Sequence, residues 1–266
     1  MNKETLKQIR NPIINLVCLV LILILYFLDK VLNLLFFRWL VIVGFSVGVI
    51  LAICHIVFNQ LKKDKVTMAF KIINEYMQIL LVALLIVEII FSFIMFPATV
   101  QQTSMLPTLT PGEKLVVRKT KNIDNNDIIV FEYDSSIQGE SVGVYDNDLL
   151  IKRVIAKPGQ SFYYKDNKLY INDVEAKDDF VVSELNGLTL KEISEKNGLS
   201  DICLTEEGKY VLPDGYYVVF GDNRQYISGK LVPVSIDSRT FGLIHESQIY
   251  GRVDYIMESI IDWNKI

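Results

Sequence analysis

Leu149-Leu150-Ile151-Lys152-Arg153-Val154-Ile155-Ala156 is the stretch whose reading decides the fold of the C-terminal two thirds of this chain. It is a short β-branched run among Gly, Pro, Asn and Asp, which is the pattern of a strand. Alternation puts Lys152 on one face with Leu150 and Val154, and Ile151, Arg153 and Ile155 on the other. A lysine flanked on its own face by two apolar side chains is a candidate for burial. The commoner reading of such a lysine is one that snorkels outward from a strand end.

Runs of the same kind surround it. Leu115 to Arg118, Asp127 to Tyr133, Ser161 to Tyr164, Lys168 to Ile171 and Tyr216 to Phe220 have strand composition, and Asp166-Asn167 between two of them has the character of a hairpin turn. The expected fold is a mostly antiparallel β domain, barrel-like or sandwich-like, with a small helical insertion. The helix is expected over Thr189 to Asn197, where Thr189 with Glu192 forms a capping-box pattern and Gly198 supplies a stop. It belongs to a polar stretch, 178–209, read as an inserted surface subregion. Residues 257–266 read as a tail.

Upstream of this β texture the chain is different in kind. Hydrophobic residues make up 51 % of the sequence, too many for one ordinary soluble domain, and the excess lies almost wholly before residue 100. Residues 12–28 and 39–58 carry no charge, and 79–96 carry only Glu88. Each is close to the length at which a helix crosses a bilayer, so residues 1–97 are expected to form a membrane region with three transmembrane helices. A cleavable signal peptide would also open with Lys3, Lys7 and Arg10 before an apolar run, but no small-residue cleavage site follows Leu28. Glu88 reads as a protonated carboxyl or one with a polar partner between helices, and His55 is a possible neighbour.

Basic residues set the expected orientation. Lys3, Lys7 and Arg10 precede the first span, and Lys62, Lys63, Lys65 and Lys71 lie between the second and third, against Lys30 and Arg38 between the first and second. The N-terminus and the loop from Asn59 to Glu75 are therefore expected to be cytoplasmic, with residues 98–256 an extracytoplasmic domain.

Several function classes are excluded by composition. Outside the spans there is one cysteine, Cys203, and one histidine, His245, too few for an ordinary zinc site. A net charge of −4 gives no basic footprint for nucleic acid. Neither metal nor cofactor is expected, and oligomeric state is left open.

Ser104 opens Ser104-Met105-Leu106-Pro107-Thr108-Leu109, eight residues after the last span, a length that reaches only about 26 to 29 Å when fully extended. A serine tethered near a membrane surface is a candidate nucleophile, although the run taken alone also reads as a loop entering a turn. A serine hydroxyl needs a base to take its proton. His245 sits in a polar turn entering a short helix. Lys152 serves only if burial lowers its pKa enough to leave a free amine.

These segments together resemble the bacterial type I signal peptidases. The family's Ser-Met-x-Pro-Thr-Leu is matched in full at 104–109. Its Lys-Arg-Val-Ile-Gly-x-Pro-Gly-Asp is similar to Lys152 to Gln160, and its Gly-Asp-Asn-Arg followed by Ser-x-Asp-Ser-Arg to Gly221–Arg224 and Ser235–Arg239. Phe241-Gly242-Leu243-Ile244 and Gly251-Arg252 resemble its closing segment. The resemblance covers roughly 98–256 and implies a membrane-bound serine endopeptidase acting on exported preproteins with signal peptides, beside a bilayer. It implies catalytic roles for Ser104 as nucleophile and Lys152 as general base. It also implies that Ser235 holds the lysine amine, that Asp237 and Arg239 brace the site, and that Met105 shapes the cleft floor.

Departures are few but local. Ala156 and Gln160 replace a glycine and an aspartate, Gln102 stands where the family often completes its oxyanion hole, and about eight extra residues, 226–233, precede Ser235, leaving Ser228 as a competitor. Two other functions fit parts of the pattern. A non-catalytic module assisting assembly of surface proteins would typically lack the serine or lysine, and a Ser-Lys self-cleaving regulator would not need three spans. The endoplasmic-reticulum type uses histidine where Lys152 stands.

Overall fold

The structure, a computed structural model, describes residues 64–138, 143–182, 185–226, 233–259 and 262–266, with isolated positions between 14 and 53. The chain divides into two compact units, Met1–Phe96 and Pro97–Ile266.

In the first unit, helix α1 spans Asp64–Phe93. The third expected span is helical only as far as Phe93 and gives way to strand β1, Met95–Thr99. The reason is Pro97, whose ring disfavours helical backbone at the residue before it. The first two expected spans lie largely outside the described residues, and their described positions are helical. Cys18 packs with Leu81 and Leu85. Among the described residues no helix is long and apolar enough to cross a membrane. His55 and the Glu88 side chain lie outside the described residues.

The second unit is built on an antiparallel sheet with short helices, the first of which is α2 (Ser135–Gln138). Its strands are β2 (Lys114–Arg118), β3 (Ile128–Glu132), β4 (Leu149–Ala156), β8 (Tyr216–Phe220), β9 (Ile244–His245), β10 (Ile249–Met257) and β11 (Trp263–Lys265), with β1 at one edge. The order is β1-β2-β10-β3-β4-β8-β9, and β11 pairs with β10 off this path, so residues 257–266, expected as a tail, instead return along β10 and add a strand to the sheet. Strands β5 (Phe162–Lys165), β6 (Lys168–Ile171) and β7 (Val174–Ala176) form a separate three-stranded sheet. Its β5–β6 hairpin turns through Asp166 and Asn167, with φ of 50° and 59°. That left-handed pair is what a tight two-residue turn requires and what Asp and Asn tolerate.

The main sheet is covered on both faces, and the sequence of β8 shows how. Val218 and Phe220 join a core with Ile155, Tyr164, Leu169, Leu190, Ile193 and Leu243. Tyr217 and Val219 face the opposite way, into a core with Phe131, Tyr133, Leu150, Val154 and Phe241. A strand buried on both faces reads as a continuous apolar run, and Tyr216–Phe220 is one.

The polar stretch 178–209 departs from its expected role. Helix α3 (Leu190–Glu195) forms as the capping box requires: Glu192 N donates to the Thr189 hydroxyl, and Thr189 N donates to the Glu192 carboxylate at 2.8 Å. The subregion is not a surface decoration, however. Leu185, Leu190, Ile193 and Cys203, the last in the short helix α4 (Ser200–Cys203), are 0–1 % exposed and complete the core beneath β8. The segment is polar on average because one side faces water; Leu185, Leu190, Ile193 and Cys203 point inward, while Ile202 and Leu204 stay exposed.

Candidate active site

Ser104 lies in a tight turn after β1. Met105 and Leu109, 1 % and 0 % exposed, anchor it in the interior, and Leu109 N donates to the Met105 carbonyl at 2.9 Å. Apolar side chains thus fix a turn whose serine stays half-buried with its hydroxyl available. Met105, expected to shape the cleft floor, is itself buried in the interior. Gln102 is exposed.

Lys152 is held by sheet register. It pairs with Ile129 of β3, and its neighbours Arg153 and Val154 pair with Phe220 and Val219 of β8. The alternation expected from sequence holds, with Leu150, Lys152 and Val154 all buried. Lys152 is therefore not a snorkelling lysine: it is 2 % exposed. Its Nζ donates to Ser104 Oγ at 2.8 Å and to the Ile151 carbonyl at 2.9 Å. Burial pulls its pKa down to about 8 from 10.5, against the opposing pull of Asp237 and with some help from Arg239.

A second layer comes from the loops after β8. Gly221-Asp222-Asn223-Arg224 turns directly under the serine: Asn223 N donates to the Ser104 carbonyl at 3.0 Å, and its side-chain amide donates to the Thr103 carbonyl at 3.2 Å. Gly221 has no room for a side chain, because a Cβ there would stand 2.2 Å from Ser235 Oγ and 2.4 Å from the Ser104 carbonyl oxygen. Ser235 therefore reaches this site despite the insertion before it. The insertion leaves and returns at one point, with Tyr226 bridged to Pro233 and Val234 N donating to the Gln225 carbonyl. Ser235 Oγ is buried without a hydrogen-bond partner among the described residues. The competitor Ser228 lies outside them.

Asp237 and Arg239 form a buried bidentate pair at 2.9 and 2.7 Å. Asp237 also accepts from Gly221 N at 2.9 Å and caps helix α5 (Ser238–Phe241) by accepting from Arg239 N. Burial alone would push its carboxyl up; the Arg239 guanidinium and the backbone donor hold it below the ordinary carboxylate range. Arg153, on the face of β4 opposite Lys152, makes a two-pronged pair with Asp222 at 2.7 and 2.6 Å. His245 is placed differently: its Nδ1 lies 2.8 Å from Ser247 Oγ and its ring packs edge-on against Tyr216.

Reasoning from the sequence did not assign roles to Gly221, Asp222 or Asn223. A glycine directly after a buried apolar strand is a signal for close backbone approach. Among the described residues, no group of His, Cys, Asp or Glu could hold a metal ion.

A lysine amine within hydrogen-bond reach of a serine hydroxyl, the lysine desolvated and the serine on a rigid turn, is the geometry of a serine hydrolase that uses an amine base. Comparison with known proteins narrows this. The chain belongs to the family described as signal peptidase, peptidase S26, whose model matches residues 73–258, and as a member it is a serine endopeptidase. Signal peptidase IB of Staphylococcus aureus strain COL is 33 % identical over 189 residues, covering 70 % of this chain and 89 % of that protein. Signal peptidase I T of Bacillus subtilis strain 168 is 33 % identical over 188 residues, covering 68 % and 83 %. A crystal structure of a signal peptidase I from Enterococcus faecalis V583 is 27 % identical, covering 49 % of this chain and 96 % of that one, with a TM-score of 0.33.

Proposed function

We propose that this chain is a membrane-anchored endopeptidase that removes N-terminal signal peptides from exported preproteins, with Ser104 as nucleophile and Lys152 as general base. The observation that carries the reading is the 2.8 Å contact between Lys152 Nζ and Ser104 Oγ, made by a lysine that burial has brought to a pKa of about 8. Near neutral pH such a lysine is part of the time a neutral amine, whose lone pair takes the Ser104 proton as Oγ attacks the scissile carbonyl.

The ammonium so formed then gives that proton to the departing amine of the mature protein. An acyl-enzyme on Ser104 remains, and Lys152 next takes a proton from water to release the signal peptide. Negative charge on the carbonyl oxygen is met by the backbone N–H of Ser104, with the other donor unassigned. In this reading Asp237 with Arg239 holds the turn that carries Gly221, and the Ser235 side chain packs against that turn. An extended substrate binds as an added strand, so alternate side chains enter the pockets.

The membrane part of the proposal rests on the three apolar stretches and their basic flanks, with the N-terminus cytoplasmic and residues 98–256 outside. The test is to incubate the detergent-solubilised protein with a preprotein bearing an Ala-x-Ala site, beside Ser104→Ala and Lys152→Ala. Cleavage by the intact protein alone supports the dyad. Equal processing by all three sinks it, and no processing by the intact protein of any preprotein favours an assembly module. For topology, cysteines introduced at Lys63 and Lys168 are labelled from outside intact cells; labelling at Lys63 overturns the orientation.

A further inference from the structure

Arg224 closes the turn beneath Ser104, and what holds Arg224 comes from an unexpected place. Its guanidinium is fully buried. Nε donates to the Gly221 carbonyl at 2.6 Å, pinning the first residue of the turn with the side chain of the last. The two Nη groups donate to Asp178 at 2.7 and 3.2 Å, and Nη1 also to the Tyr164 hydroxyl at 3.3 Å. Tyr164 in turn donates to Asp178 at 2.5 Å.

Asp178 belongs to the segment that leaves β7 of the small sheet, distant in sequence from every motif around the serine. Two residues on, the Phe180 ring lies under the Arg153 guanidinium at 5.1 Å and within 6.0 Å of that of Arg224. The segment therefore touches both arginines that grip the turn, since Arg153 is bonded to Asp222. The turn has little freedom left. Gly221 N is held by Asp237, its carbonyl by Arg224, and the Ser104 carbonyl by Asn223 N.

A buried ion pair does little for stability, and apolar residues of similar volume often replace one without loss. What such a pair does well is fix direction, because a bidentate guanidinium leaves its remaining donor one orientation. Without the Asp178 carboxylate, Arg224 would be an uncompensated charge in a dry core and would turn toward water, releasing the Gly221 carbonyl. The Gly221 Cα rests against the Ser104 carbonyl oxygen, so movement of the turn moves the nucleophile relative to Lys152, which sheet register holds in place.

We infer that Asp178 is a positioning residue for the nucleophile: through Arg224 it fixes the Gly221–Arg224 turn against which Ser104 is seated. The inference rests on the dyad proposed above. A displacement of this kind damages the chemical step more than substrate binding, because Ser104 and Lys152 meet in the transition state whereas the peptide is held along its length.

The test uses the full chain in detergent with an Ala-x-Ala preprotein, comparing the intact protein with Ser104→Ala, Asp178→Asn and Tyr164→Phe. Measurements are made well below each variant's thermal midpoint. Asp178→Asn is expected to lower kcat by about 10- to 100-fold with KM changed by no more than about twofold. Tyr164→Phe, which keeps the ion pair but removes one of its supports, is expected to lower kcat by about threefold. A folded Asp178→Asn with kcat within twofold of the intact protein, or with a raised KM alone, overturns the inference. If Asp178→Asn does not fold, Tyr164→Phe decides, and an unchanged kcat overturns it. Processing by Ser104→Ala would remove the dyad and this inference together, whereas an inert Ser104→Ala beside a fully active Asp178→Asn removes only the inference.

Discussion

Gly221 is seated against Ser104 so closely that a methyl group on its Cα would stand 2.4 Å from the Ser104 carbonyl oxygen. Backbone conformation does not require glycine there; space does. The other near atom is the Ser235 hydroxyl, at 2.2 Å from the same point. One missing Cβ thus lets the nucleophile turn, the Gly221 turn and the Ser235 side chain meet.

Gly221→Ala is therefore expected to destabilise the domain by about 1–3 kcal/mol, the usual range for overpacking a dense interior. It should also lower kcat by at least about tenfold through displacement of Ser104. Thermal unfolding together with preprotein cleavage separates the two effects. Wild-type kcat in Gly221→Ala would mean the serine turn can yield without consequence.

The lysine pKa sets a pH profile. With Lys152 at about 8, the neutral amine grows tenfold per pH unit below that value, so kcat/KM should rise with pH and level off above about 8. A profile measured from pH 6 to 9.5 checks this. An acid limb centred near the ordinary lysine value would show that burial does not govern the base.

The same shift has a stability consequence. The folded pKa lies below the unfolded value of 10.5, so the protonated lysine destabilises the fold fully below about pH 8, and the penalty fades as pH rises toward 10.5. Lys152→Met should raise stability at pH 7 by about 3 kcal/mol, with the gain vanishing near pH 10.5. Denaturant titrations at the two pH values measure it, and a gain that does not depend on pH would contradict the assignment.

Removing the partner of a buried charge acts in the opposite direction. Asp237→Asn leaves the Arg239 guanidinium, 3 % exposed, without its carboxylate, and an expected cost of about 3–5 kcal/mol follows. The depressed Asp237 pKa contributes stability that is full above the unfolded carboxylate value and is lost as pH falls through the lower folded one. The difference between wild type and variant should therefore shrink as pH falls through the acid range, as denaturant titrations at successive pH values will measure.

A fourth substitution tests the subregion 178–209. Ile193 is 0 % exposed and packs in the core beneath β8, so Ile193→Ala should destabilise by about 2–4 kcal/mol. A surface decoration would tolerate the change with almost no shift in midpoint.

Local pattern determined much of this protein by itself. Period-two alternation marked β4 and the face that Lys152 shares with Leu150 and Val154, the Asp166-Asn167 pair marked its hairpin, and Thr189 with Glu192 marked the start of α3. Each depends on neighbours a few residues away, and so does the Ser104 motif. Only the tertiary structure decided what non-local packing controls. Nothing local distinguishes a buried Lys152 from a snorkelling one. Its burial follows from β4 lying between β3 and β8, and its 2.8 Å contact with Ser104 spans 48 residues of chain. In the same way the polar average of 178–209 concealed the inward side of α3, and no signal in the sequence tied Asp178 to Arg224. Charge pairs and close backbone contacts join residues distant in the chain, and their energies come from a low-dielectric interior that exists only once the sheet has closed over them.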